Sequence, residues 1–261
     1  MLLALDVGNT NVTIGTFDGE RLAGRWRLRT IREQTADEWG ILIRNLFSLS
    51  SLNLSAIDGV IISSVVPAVD QPLEAMSGRY FHRRPMFVSY TLDLGLPVRY
   101  DQPREVGADR LVNSVAGLHK YGGPVVVVDL GTTINFDIVS AQGEFLGGVI
   151  CPGIGMSIAG LFARTARLPM VDFREPEKLI GSNTVGSITS GLYFGFVGLI
   201  DGILERLAAE LGPGMKAVAT GGQGHMIVQA SRWVKIYDED LTLDGLRLIW
   251  ERNRKNHSFS C

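Results

Sequence analysis

Hydrophobic positions along the chain fall into two successive series of the same form. An apolar run over 2–7 (LLALDV) reaches Asp6, passes through Gly-Asn-Thr and resumes as alternating apolar and polar residues. That pattern predicts a strand over 2–7, a turn, and strands over roughly 11–17 and 21–28, with DGE (18–20) as the second turn. Apolar residues at helical spacing behind Thr35, with acids in the first turn, predict a helix over about 35–48. GVIISSVV (59–66) reads as a buried strand, followed by a helix at about 68–79 and a short strand MFVSY (86–90). A helix opened by Gly107, with Asp109 in its first turn, is expected over about 107–121.

At Val125 the series restarts as strand, turn, strand, turn, strand. The Gly/Pro-rich GGVICPGIGMS (147–157) follows, then a helix at about 155–165, a long helix at about 184–211, a strand KAVATGG (216–222), a strand near 233–236 and a last helix over 241–252. Setting Asp6 on Asp129 puts Gly8 on Gly131 and Thr10 on Thr133, and one extra residue later brings DGE onto QGE (142–144). The separation is close to half of the 261 residues, so two similar halves are expected, 1–121 and 122–261. Strands alternating with helices indicate an α/β fold, and the opening meander in each half makes the sheets mixed.

Composition narrows the functional classes. With 25 basic against 27 acidic residues the formal net charge is -2, which gives no general attraction to nucleic acid or anionic lipid, so any anion must be bound locally. Two cysteines, Cys151 and Cys261, suit a reducing cytoplasm and argue against a disulfide framework or a zinc site. The short apolar start lacks a basic n-region, so no signal peptide is expected. VGSITSGLYFGFVGLIDGIL (185–204) has the apolar length of a membrane span, with Gly191, Gly195, Gly198 and Gly202 at helical spacing. Asp201, Ser187 and Ser190 favour a buried or subunit-facing helix instead.

The two turns carry the candidate chemistry. An apolar strand ending in Asp, then Gly, then hydroxyl or amide residues, then another strand is a hairpin whose turn presents backbone N–H groups to phosphate oxygens. Gly8 and Gly131 allow positive φ or close approach of a phosphate, and the strand-end carboxylate would hold a cation beside it. A plain β-turn uses the same residues, but its recurrence in a shared register favours the phosphate reading. Neither loop has the G-x-G-x-x-G or G-x-x-x-x-G-K-[ST] pattern of the common nucleotide folds. A third glycine turn after a strand, ATGGQG (219–224), becomes a seat for the nucleoside. His82, His119, His225 and His257 have no ligand spacing, Cys151 reads as a small filler, FHRRP (81–85) as a solvated turn, and the four tryptophans as packing residues.

These hairpins and the late Thr-Gly-Gly turn resemble the actin-like ATPase and sugar-kinase superfamily, which implies two ribonuclease H-like halves with mixed β-sheets flanked by helices. VRYDQPREVGADR (98–110), GGVICPGI (147–154), TARLP (165–169), IGSNTVGSITSG (180–191) and LTLDGLRLIWERN (241–253) are, in order and spacing, similar to the type III pantothenate kinases, the family that includes the Bvg accessory factors. The resemblance implies transfer of the γ-phosphoryl group of ATP to pantothenate, the first step towards coenzyme A, in a cytoplasmic homodimer. It assigns Asp6, Val7, Gly8, Asn9, Thr10, Asn11, Val12 and Thr13 to the ATP phosphates, with Asp6 near Mg²⁺, and lets Thr132 touch ATP. It makes Asp109 the proton acceptor, sets Tyr100, Gly107, Ala108, Arg110 and Thr184 around pantothenate, and gives Asp129 a monovalent cation, K⁺ or NH₄⁺. Neither nucleic acid nor membrane is an expected partner.

Read without the family, Asp109 is a helix first-turn acid and Arg110 a solvated surface residue. The chain also departs from the family's usual G-T-A-x-T: Thr133 stands where Ala is usual and Asn135 where Thr is usual. A non-catalytic ATP-binding regulator and a kinase of another small hydroxylated substrate are the alternative expectations.

Overall fold

The computed structural model describes residues 1–163 and 169–255. Most of TARLP and the C-terminal tail with His257 and Cys261 lie outside the described residues. The chain forms two compact units, residues 1–116 together with the chain from Leu241 onward, and residues 117–240.

In the first unit, β1 (Leu2–Val7), β2 (Asn11–Asp18), β3 (Arg21–Arg29), β4 (Gly59–Ser64) and β5 (Met86–Phe87) make one sheet of order β3-β2-β1-β4-β5. β1 runs antiparallel to β2 and parallel to β4. Because side chains alternate along a strand, Leu3, Leu5 and Val7 share one face with Val12, Ile14, Val60 and Ile62. That face is covered by Trp39, Ile43 and Phe47 of α1 (Ala36–Leu49) and by Val69, Leu73 and Met76 of α2 (Pro67–Met76). α1 starts where expected because Thr35 and Glu38 form a reciprocal capping box. The helix expected over 68–79 gives way after Met76 to one wider turn, Ser77–Phe81. The expected strand over 86–90 shortens to two residues, since only Met86 and Phe87 pair with β4.

In the second unit, β6 (Val125–Leu130), β7 (Thr133–Val139), β8 (Phe145–Pro152), β9 (Lys216–Thr220) and β10 (Ile236–Tyr237) repeat the plan in the order β10-β9-β6-β7-β8. The irregularity between Thr16 and Phe17 in β2 recurs between Ile138 and Val139 in β7. One face packs on α5 (Thr184–Leu211) through Tyr193, Phe196, Val197, Ile200 and Leu204, and on α6 (Gly224–Ala230) through Ile227. α4 (Ile154–Ala163) adds Ile154 to the same core. α6 falls in a stretch that reads as loop, because the surrounding glycines mask its single buried isoleucine.

α5 is the one described helix long and apolar enough to cross a membrane, yet its apolar stripe lies against the second sheet. Asp201 on that helix is buried and accepts hydrogen bonds from the Ser231 hydroxyl at 2.5 Å and the Arg232 backbone N–H at 3.0 Å. A Cβ built on Gly191, Gly195 or Gly198 would meet no described atom within 4 Å.

The extent of the units differs from the halves expected from the repeat. α7 (Leu241–Asn253) belongs to the first unit, because β1, β2 and β4 leave room for it on the face opposite α1 and α2. Gly59 has no side chain where the Trp250 indole lies, and a Cβ on Gly15 would stand 2.9 Å from Leu243. Trp250 is 6% exposed. α3 (Ala108–Tyr121) contributes residues to both units, its last turn to the second.

Candidate phosphate and acceptor site

The two acid-bearing hairpins share one construction. Asp6 sits one residue before the end of β1, directly opposite Thr13 on β2 and beside Ser63 on β4. Asp129 holds the same place on β6, opposite Asn135 on β7 and beside Thr220 on β9. Directly paired residues project on the same side of a sheet, so each carboxylate is flanked on both sides by a hydroxyl or amide. Ser63 is fully buried and its hydroxyl has no hydrogen-bond partner among the described residues. Sequence reading passes over Ser63, since a serine ending an apolar strand carries no motif of its own.

The turns themselves differ in length. The Gly8 N–H bonds to Asn11 O at 3.0 Å, whereas the Gly131 N–H bonds to Thr133 O at 3.0 Å. The first turn therefore holds one more residue. Asn11, not Thr10, occupies the position of Thr133, and Thr13 that of Asn135. The match of Thr10 to Thr133 is corrected accordingly: the first turn is longer by one residue, and the second hairpin then carries two extra residues, not one, between Asn135 and QGE. Asn9 and Thr10 are exposed at its tip, as Gly131 and Thr132 are in the second. The end of β3 secures the first turn, with the Thr30 hydroxyl donating to Gly8 O at 2.6 Å and its N–H to Thr10 O at 3.0 Å. Within the hairpin, Val7 and Val12 face the core and anchor it.

Around Asp129, two further loops of the second unit close in. A Cβ on Gly221, whose φ is +85°, would lie 2.7 Å from both Asp129 Oδ1 and Leu130 O. A Cβ on Gly153, in the Gly/Pro-rich segment, would run into the Thr132 carbonyl. Both glycines are needed for backbone to approach the acid and its turn this closely. A carboxylate, amide and hydroxyl at these positions form an oxygen-rich set that fits a hard cation.

In the first unit, Gly107 immediately precedes α3, and Ala108, Asp109 and Arg110 form its start. Asp109 Oδ1 accepts the Arg110 backbone N–H at 2.8 Å. Loss of hydration by burial pushes the Asp109 carboxyl above the usual carboxylate range, with the Arg110 N–H and guanidinium pulling back against it. Arg110 is 7% exposed, which corrects its reading as a solvated surface residue. Tyr100 is exposed on the preceding loop. Thr184, at the start of α5, belongs with Asp129 and Thr132 to the second unit, where Asn183 caps the helix through Gly186 N–H at 2.8 Å. Among the described residues no cluster of three His, Cys, Asp or Glu could hold a metal ion.

A family model described as type III pantothenate kinase matches residues 2–206. A type III pantothenate kinase of Solibacter usitatus is 65% identical over 253 residues, covering 97% of each chain. One of Koribacter versatilis is 54% identical, covering 98% of this chain and 97% of its own. Among solved structures, the activator of 2-hydroxyisocaproyl-CoA dehydratase from Clostridium difficile, with bound ADPNP, superposes with a TM-score of 0.56 at 12% identity, covering 100% of this chain and 99% of that one. The ROK hexokinase of Thermus thermophilus gives 0.51 at 16%, covering 98% and 99%. Both likenesses concern the fold, which is that of the actin-like ATPases and sugar kinases.

Proposed function

The chain belongs to the type III pantothenate kinase family, and from that membership we propose how its own residues phosphorylate pantothenate with ATP. The duplicated row, an acid flanked by polar side chains at the end of the central strand of each sheet, carries the reading. Asp6 to Thr13 take the β- and γ-phosphates of ATP on the first turn, and Thr132 touches the nucleotide from the second. Asp6 would hold Mg²⁺, and Asp129 a K⁺ or NH₄⁺ ion. Held by these two carboxylates, the cations would supply neutralisation of charge on the transferring phosphoryl group.

Phosphoryl transfer has a loose transition state, so alignment contributes more than a strong nucleophile. Asp109 accepts the proton of the pantothenate primary hydroxyl as the P–O bond forms, and its raised pKa suits it to hold that proton. Arg110 binds the acceptor's carboxylate in a two-pronged hydrogen bond, with Tyr100, Gly107, Ala108 and Thr184 shaping the rest of the acceptor site. The products are 4′-phosphopantothenate and ADP. The uncontacted glycine face of α5 is the surface we assign to a homodimer.

The test is incubation of purified protein with ATP, Mg²⁺ and pantothenate, in KCl or in NaCl, with mass spectrometry of ADP and phosphopantothenate. Product in KCl alone supports the kinase reading and the cation at Asp129 together. Product in both salts retains the kinase and removes the cation. Absence of product from folded protein in either salt removes pantothenate as acceptor.

A further inference from the structure

The segment RLAGRWRLRTIR (21–32) holds five arginines and no acid, on a chain whose overall charge is nearly balanced. Most of it is β3, the edge strand of the first sheet. Trp26 and Leu28 turn to the core side, so Arg25, Arg27 and Arg29 stand on the other face. The register gives that face its meaning. Arg27 is directly opposite Thr13, which is directly opposite Asp6, so the three share one row across the sheet. Arg29 is opposite Asn11, and the next residue, Thr30, is bonded to Gly8 and Thr10 of the turn.

Charged residues on an edge strand also deter sheet-to-sheet association, and that role requires only exposure. It does not require side chains on the face of Asp6, nor a strand end tied to the phosphate turn. Arg21, at the far end, forms an exposed ion pair with Asp18 at 3.4 Å. The side chains of Arg27 and Arg29 are exposed and make no ion pair or hydrogen bond among the described residues. An arginine side chain spans the distance from one strand to the position above its neighbour, strands being ~4.8 Å apart.

We propose that Arg27, with Arg29 beside it, is a binding residue for the β- and γ-phosphates of the nucleotide, extending the first phosphate turn sideways onto β3. The proposal rests on the reading that Asp6 to Thr13 receive the triphosphate. A guanidinium pairs with two phosphate oxygens at once, which a backbone turn alone does not offer to the outward side of the triphosphate. The requirement is for a polyphosphate. A nucleoside monophosphate does not reach the row.

The experiment measures dissociation constants of Mg·ATP and of AMP by calorimetry, without pantothenate, for wild type, Arg27→Gln, Arg29→Gln, Arg27→Lys and Arg21→Gln. Loss of a charged phosphate contact in Arg27→Gln is expected to weaken ATP about tenfold, and Arg29→Gln about threefold. AMP changes less than about twofold, Arg27→Lys recovers part of the loss, and Arg21→Gln matches wild type. Unchanged ATP affinity in both glutamine variants overturns the proposal. So does equal weakening of ATP and AMP, which signals damage to the fold or the nucleoside seat. Turnover of pantothenate by wild type is scored separately: if none occurs while ATP binding depends on Arg27, the acceptor reading falls and the arginine row stands.

Discussion

The Thr133 hydroxyl donates to Asn135 Oδ1 at 3.1 Å. These are the two positions at which the second phosphate loop departs from the family's usual sequence, and they form one bonded pair beside Asp129. Asn135 is 8% exposed, so removing its donor strands a buried acceptor, whereas changing both positions removes the need. In a double-mutant cycle, Thr133→Ala and Asn135→Thr are expected to be non-additive by about 1 kcal/mol, read by thermal or urea unfolding.

Asp109→Asn is expected to fold, to bind ATP, and to lose turnover by about 10²- to 10⁴-fold. Burial raises the Asp109 pKa in the folded state, so folding favours the protonated acid. Its contribution to stability is present below the unfolded pKa and is lost as pH rises through the folded value. The variant should therefore melt higher than wild type at neutral pH, with the difference closing in acid. By the same sign, the acid limb of wild-type kcat/KM, which reports the free enzyme, should lie above the range of an ordinary aspartate. Near-normal turnover in the variant removes Asp109 from the chemistry.

Gly221→Ala introduces a methyl group against Asp129 and Leu130 at a positive φ. A destabilisation of about 1–3 kcal/mol is expected. Any difference in rate between KCl and NaCl should disappear in this variant, as it should in Asp129→Ala. Gly222→Ala, one residue further along, is the comparison that separates crowding of the acid from general disturbance of the turn.

Trp250→Ala empties the space beneath Gly59 and is expected to cost about 3–5 kcal/mol in unfolding of the first unit. Truncation after Asp240 should go further and expose the whole α7 face of β1, β2 and β4 to water. Hydrogen exchange resolved by peptide distinguishes the outcomes: loss of protection in β1 and β4 without change in β6 and β9 is expected. Uniform loss in both sheets would show that α7 supports more than the unit that holds it.

The paired hairpins were legible because strand alternation and Asp-Gly turns are local, and the structure repeats them down to the irregularity in β2 and β7. The longer first turn was not, because a coincident threonine at 10 and 133 outweighs a difference of one residue in turn length. Burial of Arg110 was illegible for another reason: sequence shows its charge but not the side chains that surround it. The attachment of α7 depended on empty space at Gly15 and Gly59, distant along the chain, and an amphipathic pattern names no partner. Ser63 had no signal except its alignment with Asp6, which exists only once β1 and β4 are paired.

The first unit is closed by a helix that follows the whole of the second in the chain. On a ribosome the N-terminal sheet therefore emerges first but waits, one apolar face uncovered, until some 120 further residues have been synthesised. The second unit, continuous from 117 to 240, can complete itself in that interval. Order of appearance and order of completion are reversed, and the exposed face of β1 and β4 becomes the surface that a nascent-chain chaperone would find.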